Sequence, residues 1–313
     1  MIASQIDVHA RYGGVVPELA GRAHLDEFVP IVNRAISDAG LELLNLNGTP
    51  PVDAVAATCG PGLIGALLVG LSGAKALALS WGVPFIGVNH LEGHLFASLL
   101  EEPNPSWPMI VLLVSGGHTL LIEMHGPGRY RLLGQTIDDA AGEAYDKVAR
   151  YLGLGYPGGP AIDRIALTGN PKAFAFPRAM AESGYNFSFS GLKTAVVRTV
   201  ERIPHADNAD IAASFQQAVV DVLVLKARRA VRDTNACGLC LAGGVGANSQ
   251  LRSRILTLCE QEGISGYLPS ITMCTDNAAM VAAAGWWRLQ HEGPSPLSLG
   301  ADPNLFIPII PDE

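Results

Sequence analysis

Two histidines four residues apart lie in Asn89-His90-Leu91-Glu92-Gly93-His94, directly after the apolar run at residues 84–88. Asn89 suits an N-cap, so a helix starts there, and the spacing sets both imidazoles on one face where they can share a metal ion. Plain polar surface at a helix start is the other reading of such a pair, and spacing alone leaves both open. Glu92 falls at the third helical position, where a carboxylate can close a capping box. In zinc proteases the glutamate directly follows the first histidine or directly precedes the second, and Glu92 does neither. It would project away from the place a general base needs, so metalloproteolysis becomes a remote alternative. A third donor is available in Asp276, within Thr275-Asp276-Asn277 before the last long helix, although an N-cap is its ordinary role. As a ligand it would come from a second lobe and place the metal in a cleft.

Other stretches offer backbone rather than side-chain chemistry. Leu113, Val114, Ser115, Gly116 and Gly117 lead into His118-Thr119 between two apolar runs, which predicts a hairpin whose glycines leave N–H groups open to phosphate oxygens. An ordinary turn is the competing reading. Residues 241–248 follow a strand and open a helix, but Ser249 stands where the dinucleotide fingerprint needs its third glycine. A nucleotide remains compatible with that stretch, with Asn248 at a helix N-terminus. Asp138, Asp139 and Glu143 complement a helix dipole, whereas Asp146 lies more than a turn inside, before the loop at residues 155–160, and suits ligand contact better. Asp163 follows that loop. Cys237 and Cys240 have redox spacing but no second pair, and read as buried core thiols.

The elements that must position these groups alternate. Short apolar runs at residues 52–58, 84–88, 109–114, 120–124 and 237–242 read as strands, and helical patterns cover 139–152, 192–202, 209–232 and 277–290. This is an α/β chain with loops at strand ends supplying the site. With 313 residues, two lobes are expected, divided at the proline-rich stretch 103–108: 1–108, 109–290, and a tail 291–313 returning to the first lobe. Apolar residues make up 49% and charged ones 16%, which excludes intrinsic disorder. Five cysteines without framework spacing fit a reducing, cytoplasmic setting. Residues 54–74 carry no charge and are long enough to span a bilayer, yet their glycines divide them into strand, loop and helix, so a buried α/β unit and no membrane are expected. The net charge of −8 argues against a broadly basic nucleic-acid coat, and the clusters Lys226, Arg228, Arg229, Arg232 and Arg252, Arg254 read as solvated helix faces.

Taken in order, Tyr12-Gly-Gly-Val-Val-Pro-Glu18, Gly60-Pro-Gly62, Asn89 to His94, Val114-Ser-Gly-Gly-His-Thr119, Asp139-Ala-Ala-Gly-Glu-Ala-Tyr-Asp-Lys147, Tyr156-Pro-Gly-Gly-Pro160, Phe187-Ser-Phe-Ser-Gly-Leu-Lys193, Ala242 to Asn248 and Thr275-Asp-Asn277 run through nearly the whole chain. This series resembles the tRNA threonylcarbamoyladenosine transferase family of bacterial TsaD type, formerly called O-sialoglycoprotein endopeptidase. The resemblance implies an actin-like ATPase (ASKHA: sugar kinase, Hsp70, actin) fold with two lobes around a nucleotide cleft. It implies transfer of threonylcarbamoyl from threonylcarbamoyl-adenylate, made by a separate synthase, to the exocyclic amine of the adenosine beside the anticodon in tRNAs reading codons that begin with A, with release of AMP.

His90, His94 and Asp276 are implied as ligands of one divalent metal, iron(II) or zinc. Leu113 to Gly117 are implied as the phosphate and threonylcarbamoyl contact, and Asp146, Gly159, Asp163 and Asn248 as contacts to substrate or adenine nucleotide (threonylcarbamoyl-AMP, AMP or ATP). The implied partners are tRNA, a paralogous subunit TsaB and a small ATPase TsaE; the apolar helical surface at residues 25–36 is itself read as the partner face. The family pattern opens with a strand and hairpin containing Glu-Thr-Ser-Cys-Asp-Glu-Thr, whereas this chain begins at Met1-Ile-Ala-Ser-Gln5. From this follow the expectations of a lost first phosphate loop and an unsettled, associating edge in the first lobe. A nucleotide-binding scaffold without catalysis is the corresponding alternative.

Overall fold

A computed structural model describes residues 1–42, 50–102, 104–182 and 184–309. Pro103, at the head of the expected linker, and the last four residues of the expected tail lie outside the described residues. The chain divides into two compact units, one of Met1–Leu100 with Asn277–Ile307 and one holding Glu101–Asp276.

In the first unit β1 (Val55–Gly60) and β2 (Phe85–Asn89) pair in parallel, in register from Val55 opposite Phe85 to Thr58 opposite Val88. Parallel neighbours need a crossover. It is the helix Ile64–Trp81, which stops where Gly82 takes the left-handed cap at φ 66°. Small residues set how closely this helix can be approached: a Cβ on Gly73 would lie 2.3 Å from the Phe28 ring of the helix Pro17–Asp38. Its burial is one-sided. Leu71, Ala74 and Ala78 pack with Cys59 and Phe85, while Leu68 and Leu79 are exposed. The helix is long and apolar enough to cross a membrane, with 22% of its length buried.

The helix Ala278–Glu292 belongs to this first unit, so the sequence-drawn second lobe, 109–290, loses its last helix. The reason is its small-residue face. Ala284 is buried with Ile86, Val88 and Phe96, and a Cβ on Gly285 would come 2.6 Å from that of Ala56. Beyond it, Ser295 N–H donates to Phe85 O at 2.8 Å and Asp302 N–H to Cys59 O at 2.9 Å, fastening residues 295–302 to the two strands.

The second unit carries β3 (Met109–Val114), β4 (Thr119–Gly126), β5 (Arg129–Gln135), β6 (Gly238–Ala242) and β7 (Ser265–Tyr267), ordered β5-β4-β3-β6-β7. The β3-β4-β5 meander is antiparallel, and β6 and β7 run parallel to β3. β3 is central and wholly buried, which is why it reads as an unbroken apolar run. The long helix Asn208–Thr234, capped by the Asp207 side chain, contributes Phe215, Val219, Leu223 and Ala227 to the core.

Two sequence expectations fail here. Lys226 is not on a solvated face: its exposure is 0%, with its ammonium donating to Gly184 O at 3.0 Å and lying over the Phe187 ring. Burial pushes its pKa down to about 8. Cys237 is exposed, because β6 starts one residue later, and only Cys240 of the pair is a core thiol.

Candidate metal centre and backbone-lined site

The helix His90–Glu101 starts where Asn89 Oδ1 accepts N–H bonds from Leu91 at 2.9 Å and Glu92 at 3.3 Å, as the N-cap reading requires. His90 and His94 then stand one turn apart with ring centroids 4.8 Å apart and planes at 70°. Asn277, not Asp276, caps the last helix, its Oδ1 accepting from Met280 N–H at 2.9 Å. Asp276 is its peptide neighbour. The donor atoms of His90, His94 and Asp276 all lie within 4.8 Å of one another; two ligands about 2.0–2.2 Å from one ion stand at most about 4.4 Å apart, so donors at that limit would draw together slightly around an ion. Two imidazoles and one carboxylate suit a catalytic zinc or non-haem iron centre, which keeps coordination positions open for substrate. Glu92 is wholly buried, and its carboxylate receives Arg288 Nε at 2.6 Å, so it serves an ion pair rather than a general base.

In the second unit the carboxyl ends of β3 and β6 bring three backbone segments together. Ser115 N–H donates to His118 O at 2.8 Å and closes the hairpin, leaving Gly116 and Gly117 exposed with nothing within 4 Å of where a Cβ would stand. Gly142, in the first turn of the helix Ala141–Tyr151, donates its N–H to Ser115 O at 3.2 Å. Gly243 sits at φ 85°, and a Cβ there would be 2.5 Å from Val114 O, so only glycine lets the turn after β6 lie against β3. Leu113 and Val114 were grouped with the contact loop, but both are fully buried in the sheet. The exposed part of that loop is Gly116 and Gly117, with Ser115 half-buried.

Asp163 and Asn248 meet directly. Asn248 Nδ2 donates to Asp163 Oδ1 at 3.0 Å and to Gln216 Oε1 at 2.8 Å, while its own Oδ1 caps the helix Ser249–Glu262 through Leu251 N–H at 2.9 Å. Asp163 also accepts from Ser249 N–H at 3.0 Å, Ser249 Oγ at 2.9 Å and Gln216 Nε2 at 3.0 Å. Gln216 was missed at the sequence level, where it stands beside a second amide, Gln217, in a mostly apolar helix stretch that does not single it out. Asp146 accepts the Gly158 N–H at 2.7 Å, ahead of Gly159 in the first turn of the helix Gly158–Ala166. A Cβ on Gly158 would strike Asp146 Cα at 2.6 Å, which explains the glycine.

Burial raises the Asp146 pKa, the Gly158 N–H works against that, and Glu143 adds to it. An acid whose pKa is raised on folding adds stability below its unfolded value and loses it as pH rises through the folded one. Asp146→Asn keeps an acceptor for Gly158 and removes the charge. It should therefore melt higher than the parent near pH 7, with the gain fading toward pH 3. Calorimetry across that range checks this.

The chain is thus a two-unit α/β protein with a three-donor group that could hold a metal ion and a loop with exposed glycines. The family model for TsaD, tRNA N6-adenosine threonylcarbamoyltransferase, matches residues 1–283. The tRNA N6-adenosine threonylcarbamoyltransferase of Symbiobacterium thermophilum is 51% identical over 316 aligned positions, covering 98% of this chain and 89% of the relative. That of Desulfitobacterium hafniense is 50% identical over 310, covering 97% and 89%. The chain belongs to this family of tRNA-modifying transferases. Among solved structures, HypF of T. kodakarensis superposes with a TM-score of 0.57 at 18% identity over 76% of this chain, a likeness of fold alone. This chain spans 40% of that one.

Proposed function

We propose that this transferase moves threonylcarbamoyl from threonylcarbamoyl-adenylate onto the exocyclic amine of the adenosine beside the tRNA anticodon, using one iron(II) or zinc ion held by His90, His94 and Asp276. The convergence of those three donors carries the reading. The amine nitrogen attacks the carbamoyl carbon, the bond from that carbon to the phosphate oxygen breaks, AMP departs with the electron pair, and the amine gives up one proton. The bound metal supplies Lewis acidity toward a phosphate or carbonyl oxygen. The chain's own part is positioning and charge stabilisation.

In this reading the Ser115 to Gly117 backbone offers N–H groups to anionic oxygens, with Leu113 and Val114 as the rigid strand that fixes them. Asn248, locked by Asp163 and Gln216, orients the nucleoside, and Asp146 and Gly159 line the same part of the fold. The strand order β5-β4-β3-β6-β7, antiparallel then parallel, supports an actin-like ATPase arrangement. The partner proteins proposed are TsaB, on the face where Leu25 and Val29 are exposed, and TsaE, in the cytoplasm, with a separate synthase supplying the adenylate. The carboxylate of Glu92, engaged by Arg288, favours this over proteolysis.

The test is incubation of labelled threonylcarbamoyl-adenylate, unmodified tRNA and partner subunits with the chain. Label should enter tRNA with one AMP per modified adenosine. Nucleotide binding with neither AMP release nor labelled tRNA would reject the reading in favour of the scaffold alternative.

A further inference from the structure

We infer that the buried Glu92–Arg288 ion pair is a positioning device that sets the third metal donor against the first two, an inference resting on the metal reading above. His90, Glu92 and His94 share one helix, whereas Asp276 enters immediately before the helix Ala278–Glu292. Donors on separate elements hold a common ion only if those elements keep a fixed rotation and translation.

Met280, Ala284 and Arg288, four residues apart, form one stripe of the second helix. At its start Met280 is tied to Asn277 by the cap, and it lies beside Gly93, whose missing Cβ would stand 3.4 Å from Met280 Cγ. Ala284 is buried in the middle with Phe96 of the histidine helix. At the far end Arg288 gives Nε to Glu92 at 2.6 Å and Nη1 to Glu292 at 2.8 Å. Gly93 and Met280 set the distance between the helices, and the ion pair, beside Gly93 on the histidine helix but two turns further along the second, stops one from rotating against the other.

Energy alone does not account for this pair. Glu92 has 0% side-chain exposure and Arg288 18%, and a buried pair is commonly no better for stability than apolar residues of the same size. What it supplies is direction. The planar guanidinium directs Nε to Glu92 and Nη1 to Glu292, which fixes its orientation between the two carboxylates, and Glu92 lies between the two imidazoles in sequence, so the geometry of the pair is passed on to His90 and His94.

The test is zinc titration of the full chain, purified free of metal, against a competing chromogenic chelator, with the visible spectrum of the cobalt(II) form as a second readout. Glu92→Gln removes one charge. The double variant Glu92→Met, Arg288→Met removes both and leaves none buried, so its metal-free melting temperature should stay close to that of the parent. Both should bind zinc about tenfold or more weakly and show altered cobalt(II) bands. Parent-like zinc affinity and bands in the double variant would overturn the inference while leaving the metal reading standing. A parent chain that binds no zinc at one equivalent would overturn both.

Discussion

His94→Ala should lower the rate of threonylcarbamoyl transfer to tRNA by about 10³-fold and abolish stoichiometric metal binding, with the chain still folded. His94 is buried on the helix that Asn89 starts, and its partners in the donor group are His90 one turn earlier and Asp276 beside the Asn277 cap. Losing one of three protein donors leaves two, too few to hold a catalytic ion. A Lewis acid at a reacting oxygen contributes several kcal/mol, and each ~1.4 kcal/mol is tenfold in rate. His90→Ala and Asp276→Asn should act in the same direction. Asp276→Asn is the cleanest of the three, since the carboxylate is exposed and the substitution leaves the Asn277 cap in place. Metal content, circular dichroism and transfer rate measured on the same preparations separate loss of the ion from loss of fold.

Gly142→Ala should cost about 10²-fold in transfer, although in most helices the same change is favourable by ~1 kcal/mol. Gly142 lies in the first turn of the helix Ala141–Tyr151, and an added Cβ would stand 2.4 Å from Ser115 O and 2.8 Å from Gly116 Cα. Those atoms are backbone and cannot swing aside as a side chain tip would. The turn that offers its N–H groups must shift, and near 1 Å of displacement is enough to cost two orders of magnitude. Gly70→Ala is the control: it lies inside the helix Ile64–Trp81 with nothing within 4 Å of its added Cβ, so it should raise the melting temperature. Metal affinity should be untouched in Gly142→Ala, which separates this variant from His94→Ala.

The sequence made the local chemistry legible where a residue type and a spacing together define a geometry. Asn89 announced a helix start, and the four-residue step then placed His90 and His94 on one face. The hairpin after β3 followed from two apolar runs flanking paired glycines. Long-range packing was less accessible. That the helix Ala278–Glu292 joins the first unit depends on Ala284 and Gly285 fitting against β1 and β2, and small residues leave no periodic signal. Lys226 was misplaced because a charged residue on a helix is ordinarily solvated, and only the fold supplies Gly184 O and the Phe187 ring as its surroundings. Glu92 illustrates the same limit. Its position suggested a local cap, while its actual partner stands 196 residues away in sequence.

The central claim is that one metal ion, held by His90, His94 and Asp276, is required for transfer to tRNA. The most direct measurement is to strip the chain with chelator, return iron(II) or zinc in steps, and follow labelled threonylcarbamoyl entering unmodified tRNA in the presence of the proposed partner subunits. The account predicts negligible transfer by the stripped chain and a linear rise that breaks at one equivalent. Full transfer by the stripped chain, or a rise that Asp276→Asn and His94→Ala reproduce, would contradict it.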